Sequence, residues 1–114
     1  MQHIDIESKL LGIARDKKAQ LRARFSAALA IVRRHLANGT IAPEQFNMWH
    51  WPYASSSDDC GCAGFHASRI AKHDFIIYVR MHNRAAYRLC FSKLAEKETI
   101  EAAIGAIDDY LAGE

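Results

Sequence analysis

Two cysteines and a histidine lie close together in the segment DDCGCAGFH at positions 58–66. Thiolates and imidazoles are the usual ligands of a structural zinc ion, which takes four of them. Cys60, Cys62 and His66 supply three such groups, and His73 follows. A single residue separates the two cysteines, whereas about two to four are usual at zinc sites. We therefore expect no cofactor, with zinc held by these four residues as the alternative.

Two other interpretations apply to the same segment. Cys60 or Cys62 beside His66 would supply the thiol and base of a nucleophilic enzyme. The aspartates that precede Cys60 would raise the pKa of its thiol, which disfavours that chemistry. The simplest interpretation is that Gly61 and Gly64 form a turn while the small cysteine side chains fill space beneath it.

A second group of candidate residues lies at 69–93, where six Lys or Arg residues stand against one acid. The runs FIIYVRM at 75–81 and YRLCF at 87–91 are rich in β-branched and aromatic residues, which predicts a β-hairpin. A hairpin loop with an odd number of residues between these two strands would put the large apolar side chains on one face of the hairpin. The opposite face would then carry Tyr78, Arg80, His82, Arg88 and Cys90.

This polar face is a candidate binding surface. Arg80 would lie opposite Arg88, and like charges so placed destabilise a sheet unless an anion or an acid lies between them. Basic residues beside an aromatic ring suit an acidic or phosphate-bearing partner. The alternatives are a solvated face or neutralisation by the acidic C-terminal helix. The candidate partner-binding residues are Tyr78, Arg80, His82, Arg84, Arg88, Arg15 and Arg22.

Hydrophobic spacing predicts the elements that position these residues. The apolar spacing in residues 1–40 predicts one long helix. Asp5 or Ser8 is its expected N-cap, and Asn38-Gly39 is expected to end it. Gly12 is a candidate break in it. Residues 96–111 predict a second amphipathic helix with an acidic first turn.

Residues 40–73 between the helices predict a long irregular loop that contains both prolines. Its aromatic residues are expected to cover an open side of the core: Phe46, Trp49, Trp51 and Tyr53. The predicted fold class is α+β, with a long N-terminal helix, an irregular aromatic and cysteine loop, an antiparallel hairpin or three-stranded sheet, and a C-terminal helix.

Length and composition set the broad class. The chain has 114 residues, half of them hydrophobic, which suits one α+β domain over residues 1–114. No apolar run approaches the roughly 18 residues of a membrane span, and the N-terminus lacks the pattern of a secretory signal. We expect a soluble, cytoplasmic protein that does not bind membranes. In the reducing cytosol its three cysteines are expected to be thiols or metal ligands rather than disulfides.

The C-terminal half carries a family resemblance. The run CGCAGFH, the hairpin ending YRLCFS and the helix EKETIEAAIGAIDDYL resemble the end of the small C-terminal domain of class V PLP-dependent aminotransferases and cysteine desulfurases. The resemblance covers roughly the last 55 residues. It implies a fold of strands and a closing helix packed on a preceding helix. The family's cofactor domain has no counterpart, so neither PLP nor its activity is expected.

These features together predict a non-enzymatic binding protein. Its basic surface would engage an acidic partner, either a protein or a nucleic acid. A zinc-stabilised module built on Cys60, Cys62 and His66 is the alternative, and a small Cys/His enzyme is the third hypothesis. The sequence does not decide whether the protein forms a homodimer through the aromatic loop.

Overall fold

The computed structural model describes residues 5–46, 51, 61–91 and 100–113, which form a helical fold. The helices within these ranges are α1 (Ile6–Arg15), α2 (Leu21–Asn38), α3 (Ala63–Ala71), α4 (Ile76–His82), α5 (Arg84–Phe91) and α6 (Ile100–Ala112). A 3₁₀ turn at Pro43–Gln45 and an isolated parallel bridge between Phe46 and Gly61 lie between α2 and α3. The described ranges contain no β-sheet, so the α+β prediction was wrong.

The predicted N-terminal helix is two helices. Asp5 caps α1 by accepting a hydrogen bond from the Ser8 N–H at 3.1 Å, and Gly39 ends α2 in the left-handed region at φ 84°, both as predicted. The break lies at residues 16–20 rather than at Gly12. The Asp16 carboxylate accepts from the Lys18 N–H at 2.9 Å, a local bond that favours a turn over a continuous helix.

Helix α2 is the centre of the fold and packs against α1, α3 and α6. Phe25, Leu29 and Val32 are fully buried on it. The Phe25 ring meets the Phe75 ring edge to face at 5.1 Å between centroids, and the Tyr110 ring at 6.0 Å. Aromatic packing around Phe25 therefore joins α2 to the start of α4 and to α6.

The hairpin prediction for residues 75–91 was wrong, because they form α4 and α5 with Asn83 between them. The buried side chains of this segment recur three and four residues apart: Phe75, Val79, Ala86, Leu89 and Cys90. That spacing is the helical period, and burial at this period outweighs the strand preference of the β-branched residues. The strands implied by the aminotransferase resemblance are helices here.

Helix α3 lies inside the segment predicted as a loop. Its small residues Ala63, Gly64, Ala67 and Ala71 are buried, which lets it approach its neighbours closely. Gly64 lies against the Trp51 ring so closely that a β-carbon there would overlap it. Phe46 and Trp51 pack against the core, as predicted for the aromatic cluster, whereas Trp49 and Tyr53 lie outside the described residues.

A C-terminal helix was predicted over residues 96–111, and the structure has α6 at Ile100–Ala112, while residues 96–99 with the predicted acidic first turn lie outside the described residues. Ala103 and Ile107 are buried, and Asp108 forms a salt bridge with Arg33 of α2 at 3.0 Å. No helix in the described part of the chain is both long and apolar enough to cross a membrane.

Candidate functional site

The junction of α4 and α5 forms an open hollow of about 630 Å³. We call it the α4–α5 corner, and its lining residues are Arg80, Met81, His82, Asn83, Arg84 and Tyr87. The segment 75–91 contains three arginines and no acidic residue. Arg80 and Arg84 form no ion pair with the residues that the structure describes. The corner is therefore a cationic surface.

Apolar side chains are exposed beside these arginines. Ile77 and Met81 lie one helical turn apart on α4, and 68% and 72% of their surfaces are exposed. The Tyr87 ring on α5 is also exposed. Large apolar side chains grouped on a surface indicate an interaction site more strongly than isolated ones do.

The helical fold brings together some of the predicted partner-binding residues and separates others. Arg80, His82 and Arg84 line the same hollow, and Arg88 lies one turn beyond Arg84 on α5. Tyr78 instead turns towards the core, where its ring lies 5.9 Å from that of Phe25.

The two cations predicted on the first helix lie elsewhere. The Arg15 Nε donates to the carbonyl oxygen of Ile70 at 2.9 Å, so this side chain joins α1 to the last turn of α3. Arg22 is exposed near the start of α2 and does not line the corner. The cationic surface is therefore contributed by the α4–α5 segment.

Asn83 fixes the angle between the two helices of the corner. Its Nδ2 donates to the Tyr78 hydroxyl at 2.9 Å and to the Tyr110 hydroxyl at 2.8 Å. Its Oδ1 accepts from the Ala86 N–H at 3.0 Å, which caps α5. One amide therefore terminates α4, starts α5 and attaches both to α6.

A second group of residues with reactive side chains lies in the core, where Cys62 and Cys90 belong to the same cluster of buried residues. Cys62 is the N-cap residue of α3, and Cys90 lies in the last turn of α5. Both are free thiols, and their surfaces are 1% and 3% exposed.

The two thiols have different acidities. Burial raises the pKa of Cys62, but hydrogen bonds from the Cys90 thiol and from the N–H groups of Phe65 and Gly64 outweigh it, so the pKa lies below its ordinary value. The hydrogen bond to Cys62 and burial both hold the pKa of Cys90 well above its ordinary value.

The residues predicted to bind zinc are distributed along α3. Cys62 begins this helix and His73 follows its C-cap, so they lie at opposite ends. The His66 Nε2 lies 2.7 Å from the carbonyl oxygen of Gln45, and Cys60 lies outside the described residues. No three His, Cys, Asp or Glu residues within the described ranges are placed to hold a metal ion. A zinc site that includes Cys60 stays a prediction.

No protein-family model, curated protein or solved structure matches this chain.

The sequence reasoning missed several residues at the α4–α5 corner. It placed Ile77, Met81 and Tyr87 in the core because strand alternation puts them beside Val79. The three- and four-residue spacing of the buried positions in 75–91 was the available signal.

Proposed function

We propose that the protein is a small binding domain whose α4–α5 corner holds an acidic, partly apolar segment of a partner protein. The observation that carries the proposal is the combination of exposed Ile77 and Met81 with Arg80 and Arg84 on one surface of the segment 75–91, which contains no acidic residue. Arginine, methionine and aromatic side chains are enriched at protein interfaces, and the corner presents examples of each in Arg80, Met81 and Tyr87.

A protein segment suits this surface better than a nucleic acid does. Phosphate recognition requires cations, whereas the exposed Ile77 and Met81 would gain nothing from a phosphate backbone. An amphipathic helix would bury apolar side chains against them and place its carboxylates near Arg80 and Arg84. The arginines would then contribute orientation and association rate, and the apolar contacts most of the affinity.

Fluorescence anisotropy tests the class of ligand directly. The ligand is a fluorescein-labelled amphipathic peptide with leucines on one helical face and glutamates on the other. The comparison ligands are a peptide of equal charge with serine in place of leucine, and single-stranded DNA and RNA of matching charge. We expect saturable binding of the leucine peptide, at least about tenfold tighter than of the other ligands. Equal or tighter binding of an oligonucleotide would overturn the proposal.

Matched charge reversals test the location. Arg80→Glu with Arg84→Glu should weaken binding of the leucine peptide by about tenfold or more. Lys17→Glu with Lys18→Glu changes the net charge equally on the exposed connection between α1 and α2, and should leave the affinity within about twofold. Equal losses in both variants would show that only net charge matters and would contradict a site at the corner.

The remaining candidate to occupy the α4–α5 corner is a second copy of this chain. Analytical ultracentrifugation of the wild type should show a monomer over the concentrations used for binding. A dimer that Met81→Glu dissociates would assign the corner to a second copy of this chain and overturn the proposal.

A further inference from the structure

We infer that Met81 is a reversible oxidation site, and that conversion of its thioether to the sulfoxide weakens binding at the α4–α5 corner. This inference rests on the proposed function of the corner and adds a means of regulating it. Met81 lines the hollow together with Arg80 and Arg84, and lies one helical turn after Ile77 on α4. Oxidation there would change the apolar part of the surface and leave the arginines as they are.

The position of Met81 makes its sulfur accessible. Its side chain is 72% exposed, the largest fraction among the exposed large apolar side chains of the described residues. Met81 belongs neither to the buried cluster nor to the partly buried side chains packed against it. An oxidant therefore reaches the sulfur without any opening of the fold, and the oxidised side chain requires no rearrangement of the core.

The other sulfur atoms in the described part of the chain are protected by burial. Cys62 and Cys90 are free thiols whose surfaces are only 1% and 3% exposed. The remaining sulfur-containing residues, Met1, Met48 and Cys60, lie outside the described residues. Within the described ranges, Met81 therefore carries the sulfur that solvent reaches most readily.

The chemistry with hydrogen peroxide balances in one step. The Met81 sulfur attacks one peroxide oxygen, and the O–O bond breaks as the S–O bond forms. The departing hydroxide takes the proton from the transferred oxygen and leaves as water. Sulfur loses two electrons, so one peroxide yields one sulfoxide and one water. A methionine sulfoxide reductase reverses the change with two thiols, which become a disulfide while the sulfoxide oxygen leaves as water.

The sulfoxide would oppose binding because it is polar where the thioether is apolar. Burial of its oxygen against apolar side chains of the partner costs free energy, whereas water solvates it in the unbound protein. Arg80 and Arg84 keep their charges, so the electrostatic attraction stays the same. We therefore expect the oxidised protein to bind the leucine–glutamate peptide at least about fivefold more weakly, with the same salt dependence.

Peptide mapping tests the site of oxidation. Trypsin cleaves after Arg80 and Arg84, so Met81 lies on the peptide 81–84, whereas Cys90 lies on 89–93. After peroxide treatment of the folded protein, we expect peptide 81–84 to gain about 16 Da, the mass of one oxygen, before peptide 89–93 is modified. Treatment with the reductase should remove this gain. Oxidation of peptide 89–93 while 81–84 stays unmodified would overturn the inference.

Fluorescence anisotropy with the leucine–glutamate peptide tests the effect on binding. Affinity should fall on oxidation of the wild type and return after treatment with the reductase. Met81→Leu keeps an apolar side chain of similar volume without sulfur, and should bind equally well before and after peroxide. Met81→Gln places a polar amide there and should bind weakly without peroxide. Circular dichroism should report the same helix content in every sample.

The outcomes separate this inference from the proposed function. Absence of saturable binding by the untreated wild type would overturn the proposed function and this inference with it. Binding by the untreated protein that keeps its affinity after full oxidation of Met81 would overturn this inference alone. An equal loss of affinity in peroxide-treated Met81→Leu would assign the effect to another residue and would overturn it as well.

Discussion

The side-chain amide of Asn83 donates a hydrogen bond to the Tyr110 hydroxyl across 2.8 Å, which attaches the junction of α4 and α5 to α6. The same amide group donates to Tyr78 at 2.9 Å, and its oxygen caps α5. One side chain therefore sets the geometry of the surface to which we assign binding.

Replacing Asn83 should destabilise the fold. Asn83→Ala removes the cap of α5 and leaves the hydroxyls of Tyr78 and Tyr110 without this donor, so we expect the free energy of unfolding to fall by about 1–3 kcal/mol. Urea denaturation measures the change. Tyr110→Phe removes only one of these bonds and should cost less, and a larger loss for Tyr110→Phe would contradict the role given to Asn83.

Replacing Phe25 is expected to cause the largest loss in the free energy of unfolding among these substitutions. Its ring is fully buried and contacts rings from α4 and α6, so Phe25→Ala should lower the free energy of unfolding by about 3–5 kcal/mol. Ile77→Ala removes an exposed apolar side chain and should change it by no more than about 0.5 kcal/mol. Similar values for the two variants would refute the assignment of core and surface.

Two glycines in helices should respond oppositely to alanine. A methyl group at Gly64 would overlap the Trp51 ring, so Gly64→Ala should destabilise the protein by about 1–3 kcal/mol. Gly12 faces open space within α1, and Gly12→Ala should stabilise it by about 0.5–1 kcal/mol. Thermal denaturation of both variants checks the signs, and stabilisation by Gly64→Ala would show that Trp51 does not pack there.

His73 should make stability depend on pH. Burial and the charge of Arg24 lower its pKa below the ordinary 6.5 and outweigh the opposing effect of Asp74. The unfolded chain therefore gains a proton at His73 before the folded chain does, and the free energy of unfolding falls as the pH drops through 6.5 towards the folded-state pKa. Above pH 6.5 the contribution of His73 to the pH dependence of stability vanishes.

Urea denaturation between about pH 7 and pH 5 measures this contribution. His73→Gln should flatten the pH dependence in that range, because glutamine does not titrate. An unchanged slope in the variant would assign the dependence to other groups.

The sequence was sufficient where local signals and helical periodicity agreed. Asp5 and Gly39 mark the start of α1 and the end of α2 as predicted, and the spacing of Ala103 and Ile107 identifies α6. Cap residues act within a few positions of themselves, so their effect is readable from the chain alone.

The errors arose where long-range packing decides the structure. Residues 76–81 carry β-branched and aromatic side chains, yet burial of Val79 against other helices selects a helix. This one change of element moves Ile77 and Met81 to the surface and accompanies the burial of Cys90 in the core. Local propensity cannot predict contacts between segments so far apart in the chain.

Chemical-shift mapping with the leucine–glutamate peptide tests the central claim most directly. Titration into ¹⁵N-labelled protein should perturb the backbone amides of residues 76–91 selectively, with saturation at one peptide per chain. The same titration of Arg80→Glu with Arg84→Glu should lose most of these changes. Perturbations confined to α1 and α2, or no saturable change in the wild type, would contradict a binding site at the α4–α5 corner.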